Sequence, residues 1–164
     1  MKPILRAAII VALVLSVLVV GGCSLIAQKA AENATGVSVS KNGNQVTVNG
    51  PNGSATVQNN QNQLPAGLPD SVPTYSGSIK GSSAVDTPSG SAYTYTITSS
   101  DDAKTIVDWY SKNLAAKGWT VEQTATLPNG GVIGAKMGTN ADIAVTVSED
   151  NGQRAILVVV HTKK

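Results

Sequence analysis

Phenylalanine is absent from the 164 residues, and aromatic residues of any kind make up only 4% of them. A core must therefore be assembled from Val, Ile, Ala and Leu, with Trp109, Trp119 and four tyrosines as its largest pieces. Charge is scarce as well, with Asp, Glu, Lys and Arg at 13%; Ser, Thr, Asn, Gln and Gly carry the burden of solubility. Basic residues number 12 against 10 acidic, and Lys2 and Arg6 near the N-terminus account for the surplus. Nucleic-acid binding needs a concentrated excess of Lys and Arg to meet phosphate, and no such stripe is present. The single histidine, His161, and the single cysteine, Cys23, are too few for a zinc site or a histidine-activated nucleophile. A lone cysteine also excludes a disulfide within the chain.

The longest apolar run, Ala7 to Val20, follows Lys2 and Arg6 and ends at Gly21-Gly22-Cys23. A basic head, an apolar stretch and small residues at its end are the parts of an export signal. Three other readings compete: an uncleaved membrane helix, since Ile4 to Val20 with its flanks approaches the ~17–25 residues needed to span a bilayer, a secretory leader with an incidental cysteine, and a buried helix. Val20-Gly21-Gly22-Cys23 resembles the lipobox of bacterial lipoproteins, in which an aliphatic and two small residues precede a cysteine, although Ala or Ser is more usual at the place of Gly21. The resemblance implies that residues 1–22 are a lipoprotein signal peptide and that Cys23 is the lipid attachment site and first mature residue. Each buried methylene of such an anchor contributes roughly 0.8 kcal/mol. The implied location is the cell membrane or outer membrane, lipid-anchored, with the domain on the extracytoplasmic side.

Residues 23–36 have too few apolar positions to bury a helix and read as a tether. Residues 37–58 hold three short alternating runs, Val37-Ser38-Val39, Gln45 to Val48 and Ser54 to Val57, separated by Asn- and Gly-rich turns. Alternation broken by Asn-Gly predicts a small β-meander, with a disordered spacer as the alternative. Residues 59–70 show no periodicity and read as a linker. From residue 71 to 164 the pattern predicts strands at Ser78–Val85 and Ser91–Thr98, one helix, and then strands at Thr120–Thr126, Gly131–Lys136, Ile143–Ser148 and Ala155–Thr162. The helix starts behind the candidate N-caps Ser99 and Ser100 with Asp101 and Asp102 at its positive end. Its apolar stripe is Ala103, Ile106, Val107, Tyr110 and Leu114, and Gly118 supplies the left-handed stop with Trp119 packing back on Leu114. Asn- and Gly-rich separators predict hairpins, and the apolar run Ala155 to Val160 predicts a central strand. The expected fold class is α+β, a two-layer sandwich with one helix on an antiparallel sheet, preceded by the small meander.

Leu68-Pro69-Asp70-Ser71-Val72-Pro73, Tyr75-Ser76-Gly77, Tyr110 and Gly118-Trp119 resemble the pattern of a set of uncharacterised bacterial lipoprotein domains. The likeness covers the second half of the chain and implies a fold and a location without an activity. Candidate chemistry is sparse. His161 reads as a strand-end polar residue, and Asp101 with Asp102 as helix-end charges rather than a metal pair. Asp108 and the Glu149-Asp150 turn read as solvated positions, with a weak calcium site at Glu149-Asp150-Asn151 as the alternative. No catalytic residue, metal site or cofactor is assigned. The expected role is a non-catalytic binding or interaction module in the cell envelope, using a sheet edge or the groove beside the helix for a partner protein, glycan or lipid. The alternative is an envelope enzyme with an unrecognised active site.

Overall fold

Alternating runs joined by Asn-Gly turns fold into strands, and the amphipathic stretch after Asp102 folds into a helix. A computed structural model describes residues 36–42, 45–51, 53–58 and 62–164. The leader, Cys23 and nearly all of the tether lie outside the described residues. Among the described residues nine strands are present: β1 (Ser38–Asn42), β2 (Gln45–Gly50), β3 (Gly53–Gln58), β4 (Ser78–Thr87), β5 (Gly90–Ser99), β6 (Thr120–Leu127), β7 (Gly130–Met137), β8 (Ala141–Asp150) and β9 (Gln153–Lys163). The helix, α1 (Ala103–Ala116), falls between β5 and β6. All strands belong to one antiparallel sheet in the order β1-β2-β3-β4-β5-β9-β8-β7-β6.

Helix and antiparallel sheet are both present as expected, yet the meander is not a separate unit. β3 pairs with β4 from Ser54 opposite Asp86 to Gln58 opposite Ser82, so β1–β3 prolong the sheet sideways, and residues 38–164 form one unit. Edge-on pairing explains this, because β4 has a free row of backbone groups that a hairpin strand can satisfy. Alternation alone carries no information about which neighbour a strand will choose.

α1 lies over β6, β7 and β8. Its stripe Ala103, Ile106, Val107, Tyr110 and Leu114 is buried, as its spacing requires. Opposite it stand Ile133 and Ala135 of β7 and Ile143, Val145 and Val147 of β8, and the same inner face continues through Ile156, Val158 and Val160 of β9. Gly131 is where the helix touches down: a Cβ there would sit 2.5 Å from Cγ2 of Val107. β9 is central, between β5 and β8, as expected. Its second face is open, however, with Leu157 40% exposed.

The helix begins two to three residues later than the serines suggested. Asp102, not Ser99 or Ser100, is the N-cap, with extended backbone and a side chain accepting the Thr105 N–H at 2.6 Å. Ser99 instead accepts from the Asp101 N–H at 3.2 Å and shapes the approach. The other end follows expectation. Gly118 has φ +88°, its N–H donates to Ala115 O at 3.1 Å, and the Trp119 N–H donates to Leu114 O at 3.0 Å. That pair of bonds is the Schellman arrangement, in which a left-handed residue turns the chain back onto the last carbonyls.

Candidate binding groove

α1 covers only β6 to β8, so the inner face of β4, β5 and β9 needs another cover. The segment from Asn62 to Gly77 provides it. Leu64 and Leu68 pack on the core, and Pro65, Val72, Pro73 and Tyr75 are buried. The expected linker at 59–70 is therefore, from Asn62 onward, a strap laid over the sheet. Its apolar residues follow neither a period of two nor of 3.6, because the strap runs as successive turns: Leu68 N–H to Pro65 O at 3.3 Å and Val72 N–H to Pro69 O at 3.0 Å. One end is fixed by the Asn62 N–H on Ile79 O at 2.9 Å. The other is tied to the end of the helix, where Trp119 Nε1 donates to Ser71 O at 2.8 Å and Lys117 Nζ donates to Asp70 O.

Between strap and helix end runs an open groove of about 460 Å³. Its apolar walls are Leu64, Pro65, Leu68 and Val72, and its polar groups are Thr74, Asp70 and Lys117, the last donating to the Asp70 carbonyl. Small-molecule sites span roughly 300–1,000 Å³ and combine apolar walls with a few polar groups, which is the make-up found here. A second groove of about 470 Å³, near the start of α1, is polar throughout, with Ser78, Lys80, Ser100, Asp101 and Gln153 among its walls.

Beneath the strap lies a cluster of rings. Trp109 meets Tyr75 and Tyr110 edge-on, each at 5.0 Å between centroids, and Tyr75 stacks on Tyr110 at 6.1 Å. The Tyr110 hydroxyl accepts the Tyr75 N–H at 3.4 Å. Burial pushes the Tyr75 phenol up to about 12, helped by its 2.5 Å hydrogen bond to the Asp101 carboxylate. Burial likewise raises Tyr95 to about 12 and Tyr110 further still. Tyr95 is 1% exposed. Its hydroxyl, with those of Thr74 and Tyr110 nearby, makes no hydrogen bond of good geometry. A buried hydroxyl without a partner costs about 1–3 kcal/mol, so this one is a polar point held in an apolar setting.

The acidic residues singled out in the sequence are each engaged. Asp102 caps α1, and the hydrogen bonds from Thr105 hold its carboxyl below the usual range. Asp101 takes the Tyr75 phenol instead of capping. Asp108 pairs with Lys104 one turn earlier at 2.5 Å. In the turn where a calcium ion was the alternative, Glu149 pairs with Arg154 at 3.0 Å and Asp150 accepts from Asn151 at 2.8 Å. His161 is exposed and pairs through Nδ1 with Asp142 at 3.0 Å, across β8 and β9. The structure brings none of these groups into the apolar groove. Among the described residues there is no cluster of three or more metal-ligating side chains, and no helix is long and apolar enough to cross a membrane. Leu68 was read as a motif residue, and only the strap's path brings it beside Lys117 on one site.

Comparison with known proteins gives one match. A family model described as START domain-like covers residues 79–163, from β4 into the end of β9 and just over half the chain. No curated protein and no solved structure matches.

Proposed function

The chain belongs to the START domain-like family, and on that premise we propose that it is a non-catalytic binding module, held at a bacterial membrane by a lipid on Cys23. START-like domains are typically binding domains, which supports this reading over an enzyme. The observation that carries it is the groove between strap and helix end, with an apolar wall of Leu64, Leu68 and Val72 and the Lys117 ammonium beside it. Such a lining suits a small amphipathic ligand with an apolar body and a polar end that exchanges for the Asp70 carbonyl on Lys117. The engagement of Asp101, Asp102, Asp108, Glu149 and Asp142 in caps and pairs leaves these carboxylates to structure rather than to acid–base chemistry.

Titration of the domain with a medium-chain fatty acid, decanoate, tests the groove. Saturable binding that is lost in Leu68→Asp and weakened in Lys117→Ala, with circular dichroism unchanged, is the expected result. Binding equal in native protein and Leu68→Asp would overturn it. The anchor is tested separately by mass spectrometry of the mature N-terminus: a diacylglyceryl mass on Cys23 that vanishes in Cys23→Ala is expected, and an intact Met1 or a bare Cys23 thiol in the native sample would refute it.

A further inference from the structure

The two edges of the sheet are unequally guarded. β1 is five residues long and carries Lys41, and short length and lysine are both devices that discourage edge pairing. β6 is eight residues long and exposed from Glu122 to Leu127, and among the described strands nothing pairs with its outer side. Its charge, Glu122, is engaged by Lys136 at 2.8 Å beside a bulge between Val121 and Gln123. Beyond the bulge, Gln123-Thr124-Ala125-Thr126-Leu127 contains no charge and no proline. Leu127 is 64% exposed, more than any other large apolar side chain described.

This stretch reads the same in both directions about Ala125 as far as Thr124 and Thr126. From that symmetry we infer that β6 docks antiparallel against β6 of a second copy, around a two-fold axis through Ala125. Ala125 then faces its own equivalent, Thr124 faces Thr126 of the other copy, and Gln123 faces Leu127. Register with β7 puts Thr124 opposite Ile133 and Thr126 opposite Gly131, both on the helix side, while Gln123 and Ala125 oppose Gly134 and Val132 on the open side. Each new pair thus joins residues of the same face, as an antiparallel ladder demands. Threonine opposite threonine is a favourable cross-strand pair, alanine at the axis avoids crowding, and the Gln123 stem covers the exposed Leu127. A C2 contact of this kind is self-complementary and closed, so it ends at two copies. Five residue pairs bury less than a standard interface, and the dimer is accordingly weak, micromolar or above.

The inference does not rest on the ligand-binding reading, and one set of edge variants separates them. In a Cys23→Ser background, Ala125→Cys should form a disulfide-linked homodimer under mild oxidation, while Ser148→Cys on β8 should not. Without the added cysteine, sedimentation should show concentration-dependent dimers. Ala125→Lys and Ala125→Glu should each be monomeric, because like charges face each other across the axis, and mixing the two should restore a heterodimer. Decanoate binding should be unchanged in all of them. A native chain that stays monomeric at millimolar concentration, or an Ala125→Lys chain that dimerises like the native one, would overturn the inference. So would a mixture that fails to pair, or an edge that binds only an unlike protein.

Discussion

The two wings of the sheet are built from the same alternating pattern but meet different fates. On the side of β5 to β9 the inner face presents Ile97, Ile133, Val145, Ile156 and Val158 to α1 and the strap, and all are buried. On the side of β1 to β3 the corresponding face carries Gln45, Thr47 and Asn49 opposite Ser54 and Thr56, and the described helix does not lie over it. One wing is held by burial; the other is held mainly by backbone pairing to β4 and by polar contacts such as Thr47 Oγ1 to Thr56 Oγ1 at 3.1 Å. Hydrogen bonds exchange with water at little net gain, about 0.5–1.5 kcal/mol each, whereas burial of a large apolar side chain contributes ~1.5–3 kcal/mol. A strand ladder alone therefore extends a sheet without anchoring it.

The sharpest way to break this contrast is to cut equivalent pieces from both wings. Ile156→Ala should cost about 2–5 kcal/mol in urea unfolding, because it leaves a cavity in the buried core, and Val48→Ala in the outer wing less than about 1. Equal losses would show the wings to be alike. Alkaline pH should act next in size and only on the covered wing. Tyr95 ionises near 10 when unfolded and near 12 when folded, so between those values the unfolded state has lost a proton that the folded state keeps, and stability falls as pH rises. The slope approaches roughly 1.4 kcal/mol per pH unit for that one group, read as a falling thermal midpoint above pH 10. Tyr95→Phe should flatten the decline.

Smaller effects refine the same contrast. Gly118→Ala forces a side chain into φ +88° and should cost about 1 kcal/mol through the helix end, which also loosens the floor of the groove; unchanged thermal stability would mean that the turn relaxes. Thr47→Val should remove only a few tenths of a kcal/mol, the scale of a half-buried cross-strand pair. Amide hydrogen exchange by mass spectrometry checks the whole comparison, with β2 and β3 exchanging well before β5, β8 and β9.

Much of the architecture could be read from residue order. The stripe from Ala103 to Leu114 and the Gly118-Trp119 stop each depend on spacings of three or four residues and on one backbone angle, and all are found where expected. The N-cap was misplaced because Ser99, Ser100, Asp101 and Asp102 are all competent caps, and only the direction in which the chain leaves β5 selects Asp102. The groove was legible only as a place beside the helix. Leu64, Pro65 and Leu68 sit in a Pro- and Gly-rich stretch without periodicity, and their burial depends on Trp119 and Lys117 gripping the strap from about 47 residues away.

What residue order settled by itself was local: which segments alternate, which one coils and where each turn falls. These follow from backbone sterics and side-chain period, which act over a few residues. Which strand lies beside which, what lies over the inner face, and which edge no described strand covers were decided by the tertiary structure. Those outcomes depend on covering a limited supply of Ile, Val and Tyr with one short helix and one strap, a competition among distant segments that no local pattern records.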